Sequence, residues 1–171
     1  MHASACEALL PHLSPTSRVL DIGSGSGYLT HVLANLVAPT GTVIGIDHIP
    51  ELVELARDNM RKSREGRELL DGGRVKFVAG DGRRGWEEGA PYDAIHVGAG
   101  AARVHEELVQ QLGKGGRMFI PVDDDDDDNG GWASGEQSIW VVDKHQDGEV
   151  TKERREGVRY VPLTNAPRGK R

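Results

Sequence analysis

One cysteine, Cys6, is all that the chain carries. An intrachain disulfide is therefore excluded, and a reducing compartment, the cytoplasm, is the expected setting. Aromatic residues are also scarce, at 5%, so the core must come from Val, Ile, Leu and Ala, as in layered α/β proteins. No apolar run approaches the ~20 residues of a membrane-spanning helix, and no charged-then-apolar leader opens the sequence. Nor is there an excess of basic charge. The formal net charge is −6, and six consecutive aspartates, Asp123 to Asp128, carry all of it; without them the acidic residues equal the 21 Lys and Arg. That balance makes no global case for nucleic-acid binding. The aspartate run is expected to be a solvated loop, and no metal site is expected, because nothing in the run fixes ligand geometry.

What the chain does have is glycine where a turn needs it. Arg18-Val19-Leu20 leads into Asp21-Ile22-Gly23-Ser24-Gly25-Ser26-Gly27. After it Leu29, Val32, Leu33 and Leu36 fall on one helical face. A strand enters a glycine-rich turn and a helix leaves it, the opening of a nucleotide-binding βαβ unit. The spacing departs from the dinucleotide fingerprint G-x-G-x-x-G, whose third glycine would fall at Tyr28. Asp21 also brings a carboxylate to the corner where a pyrophosphate would rest on the helix N-terminus. Like charge disfavours a phosphate there, whereas a ligand with a cationic amino-acid end is attracted. S-adenosylmethionine, with an ammonium, a sulfonium and no phosphate, is such a ligand.

Further along, the pattern alternates strands and helices. A first helix carries Cys6, Leu9, Leu10 and Leu13 on one face, which makes Cys6 a core residue and not a nucleophile. Thr42–Asp47 is a buried-type strand ending in an acid about 20 residues past the glycine loop, where α/β nucleotide sites place the carboxylate for the ribose hydroxyls. Asp47 also suits a helix N-cap, since Pro50 opens a helix expected to run to about Arg64 with Leu52, Val53, Ala56 and Met60 inward. Arg64 to Gly73 is expected as a charged loop and Val75–Ala79 as a third strand. Gly80-Asp81-Gly82 then forms a turn whose acid can reach an adenine amino group. Tyr92–Val97 is the fourth strand, followed by the small residues Gly98-Ala99-Gly100-Ala101. Within it His96 suits a hydrogen-bonded core histidine as well as a catalytic one. A helix through Val104, Leu108 and Leu112 should stop at Gly113, Gly115 and Gly116, before a strand over Met118–Val122. Ser138–Val142 and Gly157–Thr164 have strand character, joined through a turn at Gln146-Asp147-Gly148. The expected architecture is a single Rossmann-like α/β domain over residues 1–164, with 123–137 an acidic, glycine-rich insertion and 165–171 a disordered tail.

With those pieces placed, the sequence resembles the protein-L-isoaspartate (D-aspartate) O-methyltransferase family of class I S-adenosylmethionine-dependent enzymes. Met1-His2-Ala3, Leu20 to Thr30, Val43 to His48, Gly80 to Arg83, Ala90 to Ala99 and Tyr160 to Thr164 carry the likeness. Ala90 to Ala99 with the closing Val161 to Thr164 is its most specific part. The resemblance implies a mostly parallel sheet with helices on both faces. It implies S-adenosyl-L-methionine as methyl donor, leaving as S-adenosyl-L-homocysteine. The donor would be held by Gly23, Ser24, Gly25, Ser26 and Gly27, by Asp21, by Asp47 and His48 at the ribose, and by Asp81 and Gly82 near the adenine. His2 and Thr164 match positions lining the same pocket.

The implied reaction is repair: methylation of the free carboxylate of L-isoaspartyl or D-aspartyl residues in damaged proteins and peptides, by a cytoplasmic monomer without nucleic-acid or membrane partners. The ester collapses to a succinimide, whose hydrolysis returns some normal aspartate. Two departures stand out. In the family a segment before Met1-His2-Ala3 carries a Ser or Thr hydroxyl that grips the substrate carboxylate, so no catalytic residue is identified within this sequence. The aspartate run and the following Asn129 to Gln137 replace a glycine-rich loop. A truncated, inactive S-adenosylmethionine-binding relative is the alternative. A nicotinamide oxidoreductase is disfavoured by Tyr28 and Asp21. A base methyltransferase is disfavoured because the fourth strand ends in His96-Val97-Gly98-Ala99 and not in an Asn/Asp-Pro-Pro-aromatic clamp for a flipped base.

Overall fold

The computed structural model describes residues 2–124 and 136–163. Seven strands form one sheet in the order β3-β2-β1-β4-β5-β6-β7. They are β1 (Arg18–Ile22), β2 (Thr42–Asp47), β3 (Val75–Ala79), β4 (Tyr92–Val97), β5 (Leu112–Asp123), β6 (Gln137–Lys144) and β7 (Val150–Val158). The first five run parallel, and β6 and β7 are antiparallel. β1 lies between β2 and β4, so the winding reverses beside it. A crevice for ligands opens at such a switch point, outside the carboxyl ends of the strands.

Alternation along β1 sends its side chains to two cores. Val19 joins Leu9, Leu33, Val53 and Met60 from the helices α1 (His2–Leu9), α2 (Tyr28–Leu36) and α3 (Pro50–Arg61). Leu20 and Ile22 join Ile95, Met118 and Leu108, the last from α5 (Glu106–Gln111) on the opposite face. Asp21 therefore falls on the α2 side, among buried residues.

Several elements depart from the sequence expectation, each for a local reason. α1 ends at Leu9 and tightens into a 3-10 turn over Leu10–His12, which leaves Leu10 half exposed. In α2 the buried stripe is Leu29, Thr30, Leu33 and Ala34, and Leu36 reaches the surface. The expected charged loop contains α4 (Arg64–Asp71), capped by Ser63, whose hydroxyl accepts from Gly66 N at 2.9 Å. α5 stops at Gln111 because Leu112 already pairs with Tyr92; the glycines beyond it form an irregular stretch of β5, where the register with β4 shifts. The closing strand is Val150–Val158, an edge strand of alternating charge, and not Gly157–Thr164. Residues 159–163 instead cross the carboxyl end of the sheet, with Pro162 bridged to Gly100. Asp123 ends β5, and Asp124 accepts from Ser138 and Arg154. The remaining aspartates, residues 129–135 and the tail lie outside the described residues.

β5 and β6 are tied by Arg117 and Asp143, whose two hydrogen bonds measure 2.6 and 2.7 Å. Arg117 also donates to Ala8 O at 3.0 Å, docking α1 on the sheet. Its guanidinium holds the Asp143 carboxyl below the ordinary carboxylate range. A depressed folded-state pKa gives stability that is present above the unfolded value of ~3.9 and lost as pH falls through the folded one. Melting temperatures measured from pH 7 down to 3 should accordingly fall less steeply below about pH 4 in Asp143→Asn than in the wild type.

Candidate functional site

The loop after β1 is shaped by three glycines with φ of 76, 52 and 79° at Gly23, Gly25 and Gly27. Gly27 is required twice over. Beyond its left-handed backbone, an added Cβ would stand 3.0 Å from both Ala56 Cβ and Phe77 Cζ, where α2 starts against α3 and β3.

Four amides of this loop are already engaged. Gly23 N and Ser24 N donate to Ile46 O at 2.8 and 3.1 Å, and Gly27 N donates to Ser24 O at 2.8 Å. Gly25 N donates to Asp47 Oδ2 at 3.0 Å. A loop that cradles phosphate leaves such amides for its ligand. Here a protein carboxylate takes the anion's place. Asp47 Oδ1 accepts from Ile49 N at 3.1 Å, so both its oxygens are anchored, and His48 Nδ1 lies 3.4 Å from Oδ1. The helix N-cap is Ile49, not Asp47.

Asp21 is 1% exposed. Its Oδ2 accepts from Thr30 Oγ1 at 2.6 Å, and His96 Nδ1 lies 2.8 Å from Oδ1. Asp21 and His96 are register partners on β1 and β4, which explains the contact. The His96 ring stacks on Phe119, with centroids 6.1 Å apart. A carboxylate has about four acceptor sites, so Asp21 and Asp47 can each still accept from a ligand.

Two adjoining cavities share Gly23, Gly25, Gly98 and Val161. One, of about 360 Å³, is lined by His2, Asp21, Ser24, Ser26, His96 and Arg159 among others. Ser24 Oγ is buried without a hydrogen-bond partner among the described residues. The His2 ring stacks on Tyr28 at 5.6 Å between centroids. The second cavity, of about 260 Å³, is more apolar: Ile49, Leu52, Ala99 and Leu163 line it beside Asp47, His48 and Gly82. A larger chamber lined by charged groups thus adjoins a smaller, more apolar one.

Most of the residues singled out in the sequence meet here. Gly27 lines neither cavity and acts through packing. Asp81 stands apart. Arg83 Nε and Nη2 hold its two oxygens at 2.9 and 2.7 Å, that pairing lowers its pKa, and it lines a neighbouring cavity with Arg84 and Trp86. Thr164 lies outside the described residues. Cys6 is partly buried against the α1–α2 core, and burial pushes its thiol pKa up, away from nucleophilic chemistry. Ile49, Leu52, Arg159 and Val161 went unremarked as site residues in the sequence. The first two follow an acid at a strand end, a signal that could have marked them; the others are placed by a crossing segment that no periodicity marks.

The sequence profile described as Protein-L-isoaspartate(D-aspartate) O-methyltransferase (PCMT) matches residues 1–168. Protein-L-isoaspartate O-methyltransferase 1 of Arabidopsis thaliana is 47% identical over 165 residues, 96% of this chain and 67% of that protein. The enzyme of the same name from Caenorhabditis elegans is 46% identical, with 96% of this chain and 68% of that protein covered. A second Arabidopsis relative, 44% identical, is covered over 50% of its length. The chain thus spans between half and about two thirds of these relatives. Among solved structures, a Plasmodium falciparum protein described as a protein-L-isoaspartate O-methyltransferase, in complex with S-adenosyl-L-homocysteine, superposes with a TM-score of 0.82. It is 29% identical, and the match covers 97% of this chain and 74% of that one.

Proposed function

Since the chain belongs to the protein-L-isoaspartate(D-aspartate) O-methyltransferase family, we propose that it binds S-adenosylmethionine in the two joined cavities and methylates the free carboxylate of L-isoaspartyl or D-aspartyl residues in damaged proteins. The observation that carries this reading is the engagement of Gly23, Ser24, Gly25 and Gly27 N within the protein. With Gly25 N on Asp47 and Gly23 N and Ser24 N on Ile46 O, these amides are withheld from a phosphate. The corner offers carboxylates to a cation and to hydroxyls instead.

The residues present fit the donor. Asp21, Ser24, Gly25, Ser26 and His2 surround the chamber assigned to the methionine end, and Gly23 lets the ligand pass close to the backbone. Asp47 and His48 take the ribose hydroxyls, with Gly82, Ile49 and Leu52 against the adenine ring. Asp81 joins them at the adenine if Arg83 releases its carboxylate. When bound, S-adenosylmethionine supplies a methyl group on a sulfonium, which the acceptor carboxylate takes in line, the O–C bond forming as the C–S bond breaks and the electron pair stays on sulfur. With an ordinary pKa of about 4 the acceptor is already ionised at neutral pH, so the protein has no proton to remove. Its work is alignment and exclusion of water.

The same reading makes the protein a single-domain cytoplasmic monomer whose partners are isoaspartyl proteins and peptides. A lone cysteine and the charge balance outside the aspartate run support it. Among the described residues, no helix is long and apolar enough to cross a membrane.

The test is transfer of labelled methyl to an isoaspartyl peptide and to its normal aspartyl counterpart. Base-labile label on the first alone is expected. Donor binding without transfer would leave the chain a binding module, and equal labelling of both peptides would overturn the substrate assignment.

A further inference from the structure

Methyl transfer to an ionised carboxylate leaves one buried titratable ring without a role. His96 is 4% exposed and lines the chamber assigned to the methionine end. Its Nδ1 lies 2.8 Å from Asp21 Oδ1, and its ring stacks on Phe119. A carboxylate only accepts, so Nδ1 carries the proton and the neutral ring keeps a lone pair at Nε2. Among the described residues, the fully enclosed side-chain atoms without a partner are Ser24 Oγ and His31 Nε2. His96 Nε2 is also unpartnered but keeps accessible surface. Ring carbon Cε1, bonded to both nitrogens, shows where that surface lies. It stands 3.3 Å from where a Cβ on Gly98 would be, and Gly98 lines the same chamber.

The ring is held in this orientation from behind. Thr30 Oγ1 donates to the other Asp21 oxygen at 2.6 Å, and Asp21 and His96 are register partners on β1 and β4. An acceptor fixed in this way, with a carboxylate on its far side, suits a cation that carries N–H groups. Of the two cationic centres of the donor, the sulfonium has no proton to donate and the ammonium has three.

Resting on the donor assignment of this cavity, we propose that His96 Nε2 accepts a hydrogen bond from the donor's ammonium, so that the donor binds the neutral ring in preference to the protonated one. Protonation at Nε2 removes the acceptor and turns the Asp21–His96 pair from anionic to neutral. A donor entering the protonated protein therefore displaces that proton to solvent.

The other titratable and charged groups about the ring and the chamber are Asp21 on β1, His2 and Cys6 on α1, Tyr28 on α2, and Arg159 and Tyr160 after β7. Phe119 on β5 brings no charge. Burial pushes the Cys6 thiol and the Tyr160 hydroxyl up, so neither ionises at neutral pH. Histidine ordinarily titrates between about pH 5 and 8, which makes His2 the necessary control.

Calorimetry on the wild type, His96→Asn and His2→Asn provides the test. Asparagine can place its NH2 where Nδ1 stands, so His96→Asn keeps the bond to Asp21 and loses the chamber acceptor. At about pH 8 it should bind S-adenosylhomocysteine about tenfold more weakly. It should bind 5′-methylthioadenosine, a nucleoside thioether without the amino-acid end, within about twofold of the wild type. Between about pH 8 and 5 the wild type should lose about tenfold in affinity for S-adenosylhomocysteine, with a proton released on binding. Titrations in buffers of different ionisation enthalpy measure that release, which should vanish in His96→Asn and persist in His2→Asn. An equal loss of both compounds in His96→Asn would make the residue structural and overturn the proposal. So would a wild type that releases no proton, or a release that survives in His96→Asn. A wild type that binds neither compound instead removes the cofactor assignment, and the ammonium contact with it.

Discussion

Asp47→Asn should lower the affinity for S-adenosylmethionine and S-adenosylhomocysteine alike by about a hundredfold, or about 2.7 kcal/mol. Both carboxylate oxygens accept backbone amides, from Gly25 at 3.0 Å and Ile49 at 3.1 Å, at a position 5% exposed. An asparagine must turn its NH2 toward one of these N–H groups, donor against donor. Leaving that amide unpaired costs the fold about 1–3 kcal/mol. The substitution also halves the acceptor sites that remain for ribose hydroxyls. Loop order and ligand binding thus fail together. Titration with both ligands, alongside thermal melts, measures the two parts. A lowered melting temperature with donor affinity within twofold of the wild type would show that Asp47 only ties the loop.

The second large effect falls on stability, away from the site. Gly66→Ala places a Cβ 1.9 Å from Met60 O and 2.8 Å from Met60 C, at the junction of α3 and α4. These are backbone atoms, so no side-chain rotation relieves the overlap. The two helices must separate, although α3 sends Val53, Ala56 and Met60 into the core. Helix propensity alone predicts the opposite, a gain of about 1 kcal/mol from replacing glycine by alanine. Overpacking should win, with a net loss of about 3 kcal/mol and a melting temperature lower by about 5–10 °C. No α4 residue lines the donor cavities, so the folded variant should keep its donor affinity. A melting temperature at or above that of the wild type would refute the close approach.

The contrast between these two positions shows what the chain's linear pattern conveys. Asp21 and Asp47 can be picked out because buried parallel strands are near-continuous apolar runs, and an acid ending such a run is conspicuous. The spacing from the glycine loop then assigns the second acid a partner. What the pattern does not convey is that Asp47 is held by the loop itself, since a long-range amide contact leaves no periodic trace.

α4 was hidden for a different reason. Its buried side consists of Gly66 and Leu69, too little apolar surface to register as an amphipathic face among so many charges. In β5 the glycines that read as a helix stop belong to a distorted strand start, because pairing with β4 overrides local propensity. Arg159 and Val161 come to the site through the crossing of residues 159–163 over Gly100. Their sequence looks like one more strand, and only the latch to Gly100 turns it into a wall of the cavity.

At the centre stands the claim that the corner after β1 takes a nucleoside with a cationic amino-acid end and turns away phosphorylated ones. Calorimetric titration of the same preparation with S-adenosylhomocysteine and with NAD addresses it most directly. Saturable one-to-one binding of S-adenosylhomocysteine, with no heat from NAD at a hundredfold higher concentration, is the predicted result. Saturable NAD binding displaced by S-adenosylhomocysteine, or no binding of either compound, would contradict it.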